Sequence, residues 1–222
     1  MREHPNILAV TFDVGGTLVE PFHSIGHIYS QVAARHGLNV SAEVLNERFA
    51  AAWKSKDNFG HSLTEWSNLV DATFAGLTGR PPSETFFPEL YEEFVVRRSW
   101  RIFDDALPCL ERLQQKGTRL AVISNWDERL KPLLHNLNLS RFFETIVVSI
   151  EVGFPKPNAR IFNTATKLLQ LEPAQILHVG DSPREDVLGA RQAGFAGLLI
   201  RRDQASIANE QISSLLELVD LV

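Results

Sequence analysis

Cys109 is the one cysteine in 222 residues. No disulfide can form within the chain, so a disulfide-stapled secreted scaffold is excluded and a reducing compartment is the simple expectation. Long apolar runs are also missing. A helix needs about 20 consecutive apolar residues to cross a bilayer, and no stretch approaches that, so no membrane partner is expected. Positive charge is not in excess: 22 Lys and Arg face 27 Asp and Glu, for a formal net charge of −5. Nothing in that balance marks a nucleic-acid partner, and no charge run is long enough to act as a tail. There is no internal repeat and no low-complexity tract. Met1 to Asn6 lack the charged-then-apolar pattern of a secretory signal. A cytoplasmic protein, monomer or homodimer, is expected.

What is present is ordinary globular material, 44% hydrophobic and 22% charged. The length suits one large domain, or one domain with a compact insert, and can bury a core without staples. Ile7 to Phe12 is a short, nearly continuous apolar run that stops at Asp13-Val14-Gly15-Gly16-Thr17. That pattern predicts a strand buried on both faces, followed by a tight loop. Leu120–Ile123, Thr145–Val148, Ile176–Val179 and Leu198–Ile200 look alike. Between them lie helical stretches: Ala106–Lys116 after an Asp105 N-cap, Asn158–Leu171, and Arg184–Ala193. Strands alternating with helices predict an α/β fold with a parallel, doubly wound sheet.

Residues from about Phe22 to Ser99 break the rhythm. Four helical patterns run over Ser24–His36, Ala42–Lys56, Leu63–Leu77 and Glu84–Arg97, with no convincing strand. A helical insert between the first two core strands is expected. Its aromatic residues, Phe49, Trp53, Phe59, Trp66, Phe74, Phe86, Phe87 and Phe94, recur at helical spacing and read mostly as the insert's own core.

Ligands of open α/β sheets bind beyond the carboxyl ends of the strands. Polar groups fall at four such ends: Asp13; Ser124 and Asn125; Lys156; and Gly180 with Asp181. Any one alone reads as a turn, cap or solvated residue. Together they are chemically coherent. Two carboxylates suit a hard cation such as Mg²⁺. Lys156 supplies a fixed positive charge, and Ser124 with nearby backbone N–H groups can hold phosphate oxygens. Such a cluster neutralises a phosphoryl group and lets a carboxylate attack it.

In these motifs the sequence resembles the haloacid dehalogenase-like (HAD) hydrolase superfamily, in its subgroup with a helical C1-type cap, and most nearly the REG-2-like hydrolases. Asp13-Val14-Gly15-Gly16-Thr17-Leu18 resembles the nucleophile motif, Ser124-Asn125 the second, Lys156-Pro157 the third, and Gly180-Asp181-Ser182-Pro183-Arg184-Glu185-Asp186 the fourth. The resemblance implies a Rossmann-like core over 1–18 and 100–222 and an all-α cap over 19–99. It implies a Mg²⁺-dependent phosphatase acting on a small phosphorylated metabolite through an aspartyl-phosphate. Asp13 would be nucleophile and metal ligand. Asp181 would be the second carboxylate on the metal, the Gly15 backbone carbonyl a further ligand, and Asp186, or less readily Glu185, in the outer shell. Ser124 and Lys156 would bind the transferred group, and Lys156 would also hold Asp13 ionised. Thr17 and Asn125 would bind phosphate or simply tie the loop. Asp127 reads as the N-cap of a following helix.

One departure stands out. Phosphatases of this superfamily usually carry, two residues after the nucleophile, an Asp that shuttles a proton to the leaving group. Here that residue is Gly15. The carbonyl survives and the acid is lost, an effect worth ~10²–10⁴ in rate, unless Glu20, His23, His27, Asp57 or His61 supplies the proton. Gly15 also fits a loop that needs positive φ or close backbone approach. Two other functions compete: a catalytically degenerate binder of a phosphorylated ligand or protein, and a 2-haloacid dehalogenase. The Gly180-Asp181 pair argues against dehalogenation.

Overall fold

The structure is a computed structural model that describes residues 7–56, 59–207 and 210–222. The expectations for Met1 to Asn6 and for Asp57 lie outside the described residues. The first apolar run forms β1 (Ala9–Phe12), buried along its whole length. After β2 (Val19–Pro21) come α1 (Ile25–Arg35), α2 (Ala42–Lys54), α3 (Leu63–Phe74) and α4 (Phe87–Glu93), then β3 (Trp100–Ile102). The chain continues through α5 (Ala106–Gln115), β4 (Arg119–Ser124), α6 (Leu130–Asn136), β5 (Thr145–Val148), α7 (Ser149–Val152) and α8 (Ala159–Leu169). It ends with β6 (Ile176–Gly180), α9 (Gly189–Gln192), β7 (Ala196–Ile200) and β8 (Gln211–Ile212).

Two compact units result. One runs to Val19 and resumes at Ile102; the other is Glu20–Arg101. The first holds a six-stranded sheet in the order β5-β4-β1-β6-β7-β8, parallel at every pairing. With its flanking helices this is the Rossmann-like α/β fold. The strands are apolar throughout because parallel strands under helices present no wet face. α8 shows how the packing works. Ile161, Phe162, Ala165 and Leu169 fall on one stripe and bury completely against Ala121, Ile123, Val147 and Ile176. Each large side chain so buried stabilises the fold by about 1.5–3 kcal/mol. Cys109 is fully buried on α5, and burial pushes its thiol up to about 12.

In the second unit, Tyr29, Val32, Leu45, Val70, Phe74, Phe86, Phe87 and Leu90 form a core of their own, with Phe49, Trp66 and Phe94 packed at its margin. Trp53 departs from the expected core role: it is 40% exposed, edged by Phe59 and stacked on Trp66. Among the described residues no helix is long and apolar enough to cross a membrane.

Several elements were not expected. β2 and β3 pair with each other in a two-stranded sheet, and each is three residues long, too short to show a period. The helix expected after Asp127 is α6, which begins at Leu130. The helix expected over Arg184–Ala193 is instead a π-turn, Pro183–Leu188, followed by α9. Such π geometry recurs at functional sites.

Candidate active site

β1 is central, with β4 on one side and β6 on the other. Their carboxyl ends meet where the chain reverses its direction of travel across the sheet, the place such folds use for ligands. Phe12 is in register with Val122 and Val179, so Asp13, Ser124 and Gly180-Asp181 emerge side by side. The Asp13 N–H donates to the Val179 carbonyl at 2.9 Å, fixing the first loop residue to β6.

The polar groups then lock together. Ser124 Oγ donates to Asp13 Oδ1 at 2.8 Å, and Lys156 Nζ donates to the same oxygen at 2.7 Å. Lys156 Nζ also donates to Asp186 Oδ1 at 2.6 Å and to the Ile123 carbonyl at 3.0 Å. Those are three acceptors for the three hydrogens of an ammonium. Lys156 therefore holds Asp13, one of its two expected roles. Among the described residues no group donates to Asp13 Oδ2, which leaves that oxygen to a ligand.

Two glycines exist for the carboxylates beside them. A Cβ on Gly16 would lie 2.5 Å from Asp181 Oδ2, in a residue whose φ is +74°. A Cβ on Gly180 would lie 2.1 Å from Asp186 Cγ. Any side chain there displaces the acid next to it.

Asp13, Asp181 and Asp186 each offer an oxygen within 4.8 Å of the others. Burial, and then the charges of Asp13 and Asp186, push the Asp181 carboxyl up to about 7. Burial also raises Asp13, against the pull of Lys156. For Asp186 the burial cost is outweighed by Lys156 and by a hydrogen bond from His178, so its carboxyl is held well below the usual range. Lys156 stays charged despite burial because Asp13 and Asp186 flank it. Repelling carboxylates with one oxygen still open on Asp13 fit a divalent, oxygen-preferring cation.

Other expected residues turn out differently. Asn125 Oδ1 accepts from Lys156 N at 2.6 Å, while its amide donates to the Lys156 carbonyl and to Glu185 Oε2, each at 3.0 Å. Both amide hydrogens are used, so the Asn125 side chain clamps the Lys156 loop, the second of its two expected roles. Thr17 Oγ1 is buried without a hydrogen-bond partner among the described residues, and the residue is fully enclosed. Asp105 stands at the N-cap of α5 as expected, but its side chain makes no capping hydrogen bond. Asp127 accepts from the Arg129 N–H and pairs with the Arg129 guanidinium, one turn ahead of α6.

Four residues went unnoticed in the sequence. Trp126 faces Gly15: a Cβ there would lie 3.2 Å from Trp126 Cζ3. Gly15 is not among the glycines with positive φ, so the indole, and not backbone conformation, accounts for the glycine. Arg202 donates to the carbonyls of Gly16 and Thr17 at 3.1 and 2.7 Å, pairs with Asp105, and stacks on Phe103. Thr11 and His178 form a buried pair behind Asp186. A histidine inside an apolar strand was the one available signal.

Glu20 is ion-paired with Arg101. His23 lies against Phe22 and His27, and His61 is buried beside Phe59 and Trp66.

A family model described as haloacid dehalogenase-like hydrolase matches residues 7–194. Haloacid dehalogenase-like hydrolase domain-containing protein 3 of Bos taurus is 35% identical over 211 residues, covering 90% of this chain and 84% of its own length. Glyceraldehyde 3-phosphate phosphatase of Methanothermobacter thermautotrophicus is 34% identical over 118 residues, half of each protein. A magnesium-bound HAD-hydrolase of Bacillus subtilis shares the fold with a TM-score of 0.78 at 19% identity, over 97% of this chain and 98% of its own. Taken with the order and geometry of the four strand ends, these likenesses establish that the chain belongs to the haloacid dehalogenase-like hydrolases.

Proposed function

We propose that the chain is a Mg²⁺-dependent phosphohydrolase acting on a small phosphorylated metabolite through an aspartyl-phosphate on Asp13. The observation that carries this reading is the state of Asp13. Ser124 and Lys156 hold Oδ1, which fixes the carboxylate at the strand end and keeps it ionised for attack. Asp13 and Asp181, with the Gly15 carbonyl, would hold the cation, and Asp186 would stand in its outer shell. When bound, the cation supplies positive charge that neutralises phosphoryl oxygens. A carboxylate oxygen of Asp13 forms a bond to phosphorus as the bond from phosphorus to the leaving oxygen breaks, and the leaving oxygen takes its proton from solvent. Water then attacks phosphorus, releases phosphate and returns the carboxylate. Lys156 keeps Asp13 ionised and oriented in both steps.

The phosphatase among the relatives supports phosphoester chemistry over carbon–halogen chemistry. Gly15 implies weak acid assistance to the leaving group. Acyl phosphates and nitrophenyl phosphate should therefore turn over, and sugar phosphates should lag by ~10²–10⁴. A panel of these substrates with Mg²⁺ and with chelator tests the reading. Metal-dependent release of phosphate from the activated substrates is expected. Release of halide from 2-haloacids, or no turnover of any phosphate compound, would contradict it.

A further inference from the structure

β6 carries a histidine in the middle of a strand that is otherwise apolar. His178 is fully enclosed, and its ring meets Phe162 edge to face with centroids 5.4 Å apart. Both ring nitrogens have polar neighbours. Nε2 lies 3.1 Å from Asp186 Oδ1, and Nδ1 lies 2.9 Å from Thr11 Oγ1. Asp186 accepts from Lys156 Nζ on the same Oδ1 and from the Ser182 N–H on Oδ2. An ionised carboxylate has no hydrogen to give, so Nε2 carries the ring hydrogen and donates. Nδ1 of a neutral ring is then an acceptor, and the Thr11 hydroxyl is its donor. Thr11 Oγ1 also lies 3.4 Å from the Leu177 carbonyl, but one hydroxyl hydrogen serves one strong bond, and the shorter contact takes it.

The result is a one-directional chain from Thr11 through His178 to Asp186, then through Lys156 to Asp13. Its far end is the nucleophile. Lys156 Nζ is held on Asp13 by two other acceptors, the Ile123 carbonyl and Asp186, and of these Asp186 is the charged one. Ser182 fixes one Asp186 oxygen; without His178, the other would be held by the Lys156 ammonium alone.

We propose that His178 is a positioning residue. With Thr11 setting its ring, it fixes the Asp186 carboxylate, and through it the Lys156 ammonium, on the nucleophile Asp13. Partners one step behind a reactive group are typically worth 10–100-fold in activity. The kinetic arm of the test rests on the phosphohydrolase reading; the spectroscopic arm does not.

The test uses the full chain. Imidazole ¹⁵N spectra assign the ring tautomer without substrate or metal. A hydrogen on Nε2, with the Nδ1 resonance moving in Thr11→Val, is the expected result; a hydrogen on Nδ1 overturns the proposal. Turnover of nitrophenyl phosphate with Mg²⁺ is then compared in His178→Phe, which keeps an aromatic ring but no N–H, and in His178→Gln, which can direct an amide N–H to Asp186. The phenylalanine variant should lose about 10–100-fold in kcat with KM little changed, and the glutamine variant should recover most of it. Equal kcat in wild type and His178→Phe, or equal losses in both variants, overturns the positioning role. A wild type that turns over no phosphate ester contradicts the proposed function; the tautomer then decides this inference by itself.

Discussion

The indole of Trp126 lies against Gly15, so that a Cβ at position 15 would stand 3.2 Å from Trp126 Cζ3. The Trp126 main chain is tied in place. The Trp126 N–H donates to Ser149 Oγ and its carbonyl accepts from both Ser149 Oγ and the Ile150 N–H. Gly15→Asp alone should therefore lower stability and fail to speed sugar phosphates. Adding Trp126→Ala should make room, and the two changes should couple by ~0.5–3 kcal/mol. Thermal unfolding and rates on nitrophenyl and sugar phosphates check both parts. A Gly15→Asp variant as stable as wild type and faster on sugar phosphates would mean the ring is no obstacle.

Arg202 ties the loop after the nucleophile to Asp105. It holds two loop carbonyls and the carboxylate at once, with its guanidinium 3.7 Å from the Phe103 ring centroid. Replacement by methionine should cost ~1–3 kcal/mol of stability and lower kcat more than it raises KM. Lysine should not restore it, because a planar fork that stacks and donates in two directions is not replaced by a point charge. Stability and kinetics of Arg202→Met and Arg202→Lys check this; full rescue by lysine would show that only the charge matters.

How much of this could be read in the chain depended on the length of each signal. Apolar runs closed by polar residues announced β1, β4, β5, β6 and β7, and the four strand-end motifs announced Asp13, Ser124, Lys156 and Asp181. Side-chain direction was not legible. For Asn125 two roles were open, binding phosphate or tying the loop, and only the folded chain shows its amide on the loop of Lys156 and the Lys156 ammonium on Asp13. Asp105 was read as a helix cap from its place in sequence, yet Arg202, 97 residues on, takes its carboxylate. A contact at that separation has no local pattern. Gly16 and Gly180 looked like loop glycines, and their reason, the carboxylates of Asp181 and Asp186 within a Cβ's reach, lives in three dimensions.

The protonation of Asp181 gives a pH signature. Its carboxyl is raised from 3.8 to about 7 in the folded chain, so between those values the folded state keeps a proton that the unfolded state has lost. Metal-free stability contributed by this group should fall as pH rises through that window. A cation requires the ionised form, so the Mg²⁺-induced rise in Tm should be larger at pH 8 than at pH 6, and Asp181→Asn should flatten it. Melting curves with and without Mg²⁺ across that range check the sign. A shift that is equal at both pH values would place the cation elsewhere.

The central claim is that Asp13 itself carries the phosphoryl group. Wild type mixed with Mg²⁺ and nitrophenyl phosphate, quenched in acid within one turnover and digested, is read by peptide mass spectrometry. The account predicts a phosphoryl group on the peptide that contains Asp13, absent without metal and absent in Asp13→Asn, which should remain folded and inactive. Phosphate release with no labelled enzyme, or an active Asp13→Asn variant, would contradict it.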